Sequence, residues 1–306
     1  MTTSFEASTE TPAPGAVGVW PGCSHCAQPG RRLFTGLLAG AALLPLGAQA
    51  QAVPECRRSR AAGLVPAQQV ETAAQQQYVQ MLREAQTQNA LLPASHVQTQ
   101  RLRYIAARIV PFAPACNERA RQWRWEVNLL NSQQINAFCM PGGKIAFYTG
   151  ILQKLQLNDD EVAMIMGHEV AHALLEHARE RMAKSGGTEL VLRGAAALLG
   201  LGSLGDMAAA GASQLLSLRF GRQDESEADS LGLLLAARSG YNPEAGVSLW
   251  QKMGQATAGK APPQWLSTHP AGETRIRDIQ GKLPAVQPLF AQAPRPDRRF
   301  NPPPAA

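Results

Sequence analysis

The run GHEVAHALLEH, residues 167–177, places three histidines and two glutamates among eleven residues that are otherwise small or aliphatic. Its flanks mark a helix. Asn158 with Glu161 three positions later has capping-box spacing, and Asp159 and Asp160 stand where a helix dipole favours negative charge. The pattern predicts one helix from Asn158 to about Lys184, where SGG stops it. Val162, Ile165, Met166, Leu174 and Leu175 make that helix apolar around much of its circumference, so it belongs in a core. Histidines and glutamates taken into a core need partners. The fold must therefore bring complementary groups to the middle of a buried helix.

A cation is the simplest partner. His168 and His172 are one turn apart on one face, and Glu169 sits beside that face, where a general base for a metal-activated water has to be. An amphipathic helix with incidental polar residues is the competing reading, and burial weighs against it. A catalytic zinc site normally takes three protein ligands and a water. His177 lies nine residues past His168, or about 180° around the same helix. It is expected to face away, towards solvent or packing. The pattern HExxHxxGxxH would need Gly at Leu175 and His at Ala178, and is excluded.

The remaining ligand is sought in DESEAD, residues 224–229, which opens a second helical run. Glu225 and Asp229 have i, i+4 spacing and share a face with Ala228 and Gly232, whereas Glu227 points off it. Glu225 is assigned as the third ligand. Asp229 is assigned as a carboxylate that orients a ligand histidine through its other ring nitrogen. An acidic first turn placed for the helix dipole would explain Asp224 and Glu227 equally well.

With NAFCMPGGKIAFYTGIL (136–152), HEVAH, the ExxxD of Glu225 and Asp229, and STHP (267–270) followed by Arg275, the chain resembles the gluzincin metallopeptidases of peptidase family forty-eight over about residues 121–283. The resemblance implies an α+β, mostly helical fold with a zincin-type core, a small β-sheet and an HExxH active-site helix. It also implies about one zinc per chain, held by His168, His172 and Glu225, with Glu169 as base. His269 and Arg275 are the matched residues available to stabilise an oxyanion. In some members the residue matching His269 is implicated in gating the metal, and a helix-capping role for Ser267, Thr268 and His269 is the alternative. The stretch 122–150 itself reads as strand, turn, strand around PGG. In relatives such a strand borders the cleft and can hold an extended substrate by backbone pairing.

The ends differ from this middle. Residues 1–50 contain Arg31, Arg32 and an apolar run ending in small residues, the pattern of an export signal of twin-arginine type cleaved near Ala50. From this the mature chain is expected in the periplasm. Cys23 and Cys26 fall within that segment and have no matching pair elsewhere. Of the remaining cysteines, Cys56 and Cys116 flank the amino-terminal helical segment (51–120) and are paired, with Cys139 left in a strand. Residues 67–89 and 97–110 read as helices. The glycine-punctuated apolar stretch 188–218 has no uninterrupted run of membrane-spanning length and is read as a helical hairpin over the cleft or as two core helices. The proline-rich tail 284–306 is expected to be disordered.

Net charge is +6, with or without residues 1–50. That is compatible with peripheral contact with acidic lipid, and no nucleic-acid motif is present. The reading is a zinc metalloendopeptidase acting on unfolded or misfolded envelope proteins. The alternative is a chaperone or partner of outer-membrane assembly machinery with a gated zinc site. A purely structural metal site would need no base at Glu169.

Overall fold

In the computed structural model the residues described are 56–184, 219–257, 263–269 and 273–304. The expected export signal, Cys23, Cys26 and the apolar stretch 188–218 lie outside them.

Helices α1 (Ala67–Thr87) and α2 (Val97–Ile109) fall where the sequence places them. They are followed in sequence by a sheet of β1 (Glu126–Leu130), β2 (Ala137–Met140) and β3 (Lys144–Tyr148), in the order β1-β3-β2. β1 runs parallel to β3, and β2 pairs antiparallel with it. The β2–β3 turn is the PGG motif, with Gly142 and Gly143 at φ +84° and +77°. Those values suit glycine, and a Cβ on Gly143 would also come within 2.7 Å of the Trp125 ring. Alternation along the strands divides the core. Phe138, Met140 and Ala146 meet Tyr78 and Leu82 of α1. Ala137, Cys139, Ile145 and Phe147 face the main cluster, which contains the HExxH helix.

That helix, α4 (Asp159–Leu174), follows the short α3 (Thr149–Lys154). Its capping box is formed in both directions: Glu161 N–H donates to Asn158 Oδ1 and Asn158 N–H donates to Glu161 Oε2, each at 2.9 Å. The single helix expected to reach Lys184 is instead two. α4 ends at Leu174, Glu176 takes φ +60°, and α5 (His177–Lys184) starts afresh.

α6 (Arg222–Arg238) crosses α4 backbone to backbone. A Cβ on Gly167 would lie 2.7 Å from the Gly232 carbonyl oxygen, and one on Gly232 would lie 2.8 Å from the His168 amide nitrogen. α7 (Ala245–Thr257), α8 (Gln264–Thr268) and α9 (Glu273–Gln292) complete the helical shell.

The tail corrects the expectation of disorder from residue 284. α9 continues through Pro284 and Pro288 to Gln292, because Ile276, Ile279, Leu283, Val286 and Phe290 recur at helical spacing and pack into or against the core. The chain beyond it is strapped down. Arg299 pairs with Asp160 at 3.0 Å, Phe300 N–H donates to Asp159 at 2.8 Å, and Gln98 and Gln156 donate to the carbonyls of Asn301 and Pro303. A Cys56–Cys116 disulfide spans 60 residues with Cα atoms 5.1 Å apart, as paired from the sequence, and Cys139 is a free buried thiol. Among the described residues no helix is long and apolar enough to cross a membrane.

Candidate metal centre and active site

The α4–α6 crossing sets two i, i+4 pairs against each other. His168 and His172 present Nε2 atoms 3.1 Å apart, and Glu225 reaches both, its carboxylate oxygens 3.5 Å from each. Asp229 lies one turn further along α6 and meets the opposite nitrogen of His168, Nδ1, at 3.0 Å. This is the arrangement expected of a ligand histidine and the carboxylate that orients it. His269, at the end of α8, adds its ring to the group, with Nδ1 2.9 Å from Glu225 Oε1 and 3.2 Å from His168 Nε2. Ligand atoms of His168, His172, Glu225 and His269 all lie within 4.8 Å of one another, and all four residues are buried.

Glu169 is buried beside this group, 3.5 Å from His269 Nε2. Burial pushes its carboxyl up to about 7, against the pull of His168 and of a 2.7 Å hydrogen bond from Trp265 Nε1. A base with affinity near neutrality is suited to taking and returning a proton. Glu225 behaves oppositely. Burial would raise it, but His269, His168 and Arg275 hold it down at about 2. Asp229 is likewise held well below the usual carboxylate range, by Arg275 and His168 against burial. Burial and the neighbouring histidines drive His172 well below its usual value, so it stands as a neutral imidazole. An ionised carboxylate and neutral imidazoles are the forms a metal ion binds.

Arg275, one of the two residues available as an oxyanion donor, is engaged with the carboxylates of α6. Its Nε donates to Asp229 Oδ2 at 2.7 Å and its Nη1 to Glu225 Oε2 at 2.5 Å, while the guanidinium lies 3.8 Å over the Trp250 ring. It clamps the two carboxylates of α6. The His269 ring stacks on Trp265 at 4.9 Å, and a ring nitrogen lies within the cluster.

The expectation that His177 faces away is corrected too. Because α4 breaks at Glu176, His177 turns back and is buried, with Nδ1 2.9 Å from His172 Nδ1. Two further residues were not singled out by sequence reasoning. Phe220 stacks on His172 at 4.0 Å, and Trp265 holds Glu169. The signal for Trp265 was its place four residues before His269; Phe220 offers none. A pocket beside the cluster is lined by Phe138, Cys139, Glu169, His172, Phe220 and His269, with β2 as its wall.

The chain is 38% identical over 153 residues to the mitochondrial metalloendopeptidase OMA1 of Arabidopsis thaliana, covering 50% of this chain and 30% of that protein. It is 29% identical over 219 residues to the protein of the same name from Saccharomyces cerevisiae, covering 68% and 62%. Similarity to the beta-barrel assembly-enhancing protease of Escherichia coli is 28% over 181 residues, covering 54% and 36%. The chain thus matches less than two thirds of the length of each of these relatives. The expected periplasmic location is overturned by the relatives from A. thaliana, S. cerevisiae, Schizosaccharomyces pombe and Danio rerio, all of them mitochondrial by name. The model described as Peptidase family M48 matches residues 96–283, more than half of the chain and a span that takes in α4, α6 and the loop at His269, and the chain belongs to that family.

Proposed function

We propose that the protein is a zinc-dependent endopeptidase that hydrolyses peptide bonds of unfolded or misfolded chains. The observation that carries this reading is the convergence of His168, His172 and Glu225 with Glu169 buried alongside. Two imidazoles and one carboxylate are the donor set of many catalytic zinc sites, and zinc when bound supplies Lewis acidity and a water of lowered pKa. Asp229 keeps His168 turned with Nε2 towards the ligand group, and Arg275 holds Asp229 and Glu225 in register. Glu169, steadied by Trp265, takes the proton of the attacking water and passes it to the leaving amine nitrogen. No covalent intermediate with the protein is required.

Among the described residues β2 is one of the two edge strands of its sheet, and it walls the pocket. An extended substrate segment can add to such an edge by backbone hydrogen bonds, which selects unfolded chain over particular side chains. Incubating the full chain with an unfolded substrate, with and without chelator and beside Glu169→Gln, tests the reading. Cleavage that survives the chelator, or survives Glu169→Gln, defeats it.

A second reading draws on His269, the fourth donor of the group. A catalytic site keeps one position open for water, and an imidazole able to take that position would shut it. The site would then be gated, as suits an assembly factor that cleaves only on demand. Under gating, His269→Ala retains zinc and cleaves an unfolded substrate faster. Loss of cleavage with zinc retained makes His269 an oxyanion donor instead, and unchanged cleavage rules out both roles.

A further inference from the structure

Glu176 interrupts the helix with φ +60°, a left-handed conformation in which a non-glycine residue is uncommon. The consequence is local. His177 is carried back over the last turn of α4 until its Nδ1 is 2.9 Å from Nδ1 of His172. Two ring nitrogens at that distance share one hydrogen. His172 already directs Nε2 at the ligand group, 3.1 Å from His168 Nε2 and 3.5 Å from Glu225. A histidine that offers one nitrogen to a metal carries its hydrogen on the other. So His172 Nδ1–H donates, His177 Nδ1 accepts, and the His177 hydrogen sits on Nε2, which faces Glu227 Oε2 at 3.3 Å. Glu227 is half-exposed and is itself steadied by Gln223, whose Nε2 donates to Oε1 at 2.9 Å.

The geometry points to His177 as a positioning residue for the metal ligand His172, with Glu227 setting the tautomer of His177. The two ligand histidines are thus oriented differently. His168 meets a carboxylate directly, in Asp229. His172 meets one through an interposed imidazole, which carries the same polarisation out to the edge of α6, while Phe220 stacks on the His172 ring. This inference rests on the zinc site proposed above.

The readout is zinc affinity of the full chain, measured by competition with a chromophoric chelator, with the melting temperature of metal-free protein followed in parallel. Loss of an orienting partner typically weakens metal binding by about 10- to 100-fold. His177→Phe, which fills the space without an acceptor, is expected to fall in that range while the metal-free melting temperature holds. His177→Asn, whose Oδ1 can accept in place of Nδ1, is expected to restore most of the affinity. Glu227→Ala keeps stoichiometric zinc at saturation but binds it several-fold more weakly. Equal weakening by Phe and Asn would make His177 a packing residue and overturn the inference. So would wild-type affinity in Glu227→Ala, the variant that decides the matter if His177→Phe does not fold. Failure of the ligand assignment looks different: Glu225→Ala would then bind zinc as tightly as wild type, and both proposals would fall together.

Discussion

The two ends of α4 hold charge inside the protein in opposite ways. At the amino-terminal end Asp159 meets the fully buried Arg101 at 2.6 Å, Glu161 meets Lys252 at 2.7 Å, and Asp160 meets Arg299 at 3.0 Å. Each carboxylate there has a cation of its own, and Arg101 is completed by Leu157 O and Gln98 Oε1. At the other end His168, His172 and His269 converge with Glu225, and Arg275 is shared between Glu225 and Asp229. Donor atoms that would compete for hydrogens are gathered where a cation can use them. One end is finished by the chain itself, and the other, on the reading proposed above, is finished by a bound metal ion. The difference teaches where stability and function separate along a single helix.

Three substitutions and one truncation bear on that division. Glu169→Gln, at the binding end, should cost about 10²- to 10⁴-fold in turnover with an unchanged melting temperature, measured as cleavage of an unfolded protein at saturating zinc. A parallel loss of stability would erase the distinction between the two ends. Arg101→Ala should do the reverse. It leaves Asp159 buried without its cation, which costs about 3–5 kcal/mol in denaturant unfolding, while the folded fraction still binds zinc. Removing the residues after Ala293 takes away the hydrogen bond to Asp159 and the pairing with Asp160, and should cost about 1–3 kcal/mol. Arg299→Ala alone sharpens that value. Its pair with Asp160 is partly exposed, at 46% and 23%, and should contribute under about 1 kcal/mol. A larger effect would mean that the strap is held by this single ion pair.

Periodic features were legible in the sequence. The i, i+4 pairs of α4 and α6, the capping box and the PGG hairpin each repeat a local geometry that residue types announce. Asp229 could be assigned to orient a ligand histidine because it stands one turn from Glu225 on a face of small residues, while which histidine it meets, His168, depends on how the two helices cross. The break at Glu176 was not legible, because glutamate is no marker for a left-handed conformation, and it moved His177 from the far side of the helix to the ligand's side. The pairing of Arg275 with Glu225 and Asp229 was not legible, since it depends on how α9 crosses α6 and not on any spacing within either. In the tail the apolar spacing from Ile276 to Phe290 prevails over the proline content, and the helix runs through both prolines. The parallel pairing of β1 with β3 joins segments that no local turn connects.

The contact between Gly167 and Gly232 makes the crossing of α4 and α6 a hard stop. Where side chains separate two helices, their distance can drift as rotamers change and the core repacks. Here backbone atoms abut, so the gap between His168 on one helix and Asp229 on the other is gauged by atomic radii. Substitutions elsewhere in the core can therefore soften the protein considerably before they part His168 from Asp229. A methyl group at either glycine would instead act as a wedge, and no change at the opposite glycine could make room for it, because that residue has no side chain left to remove.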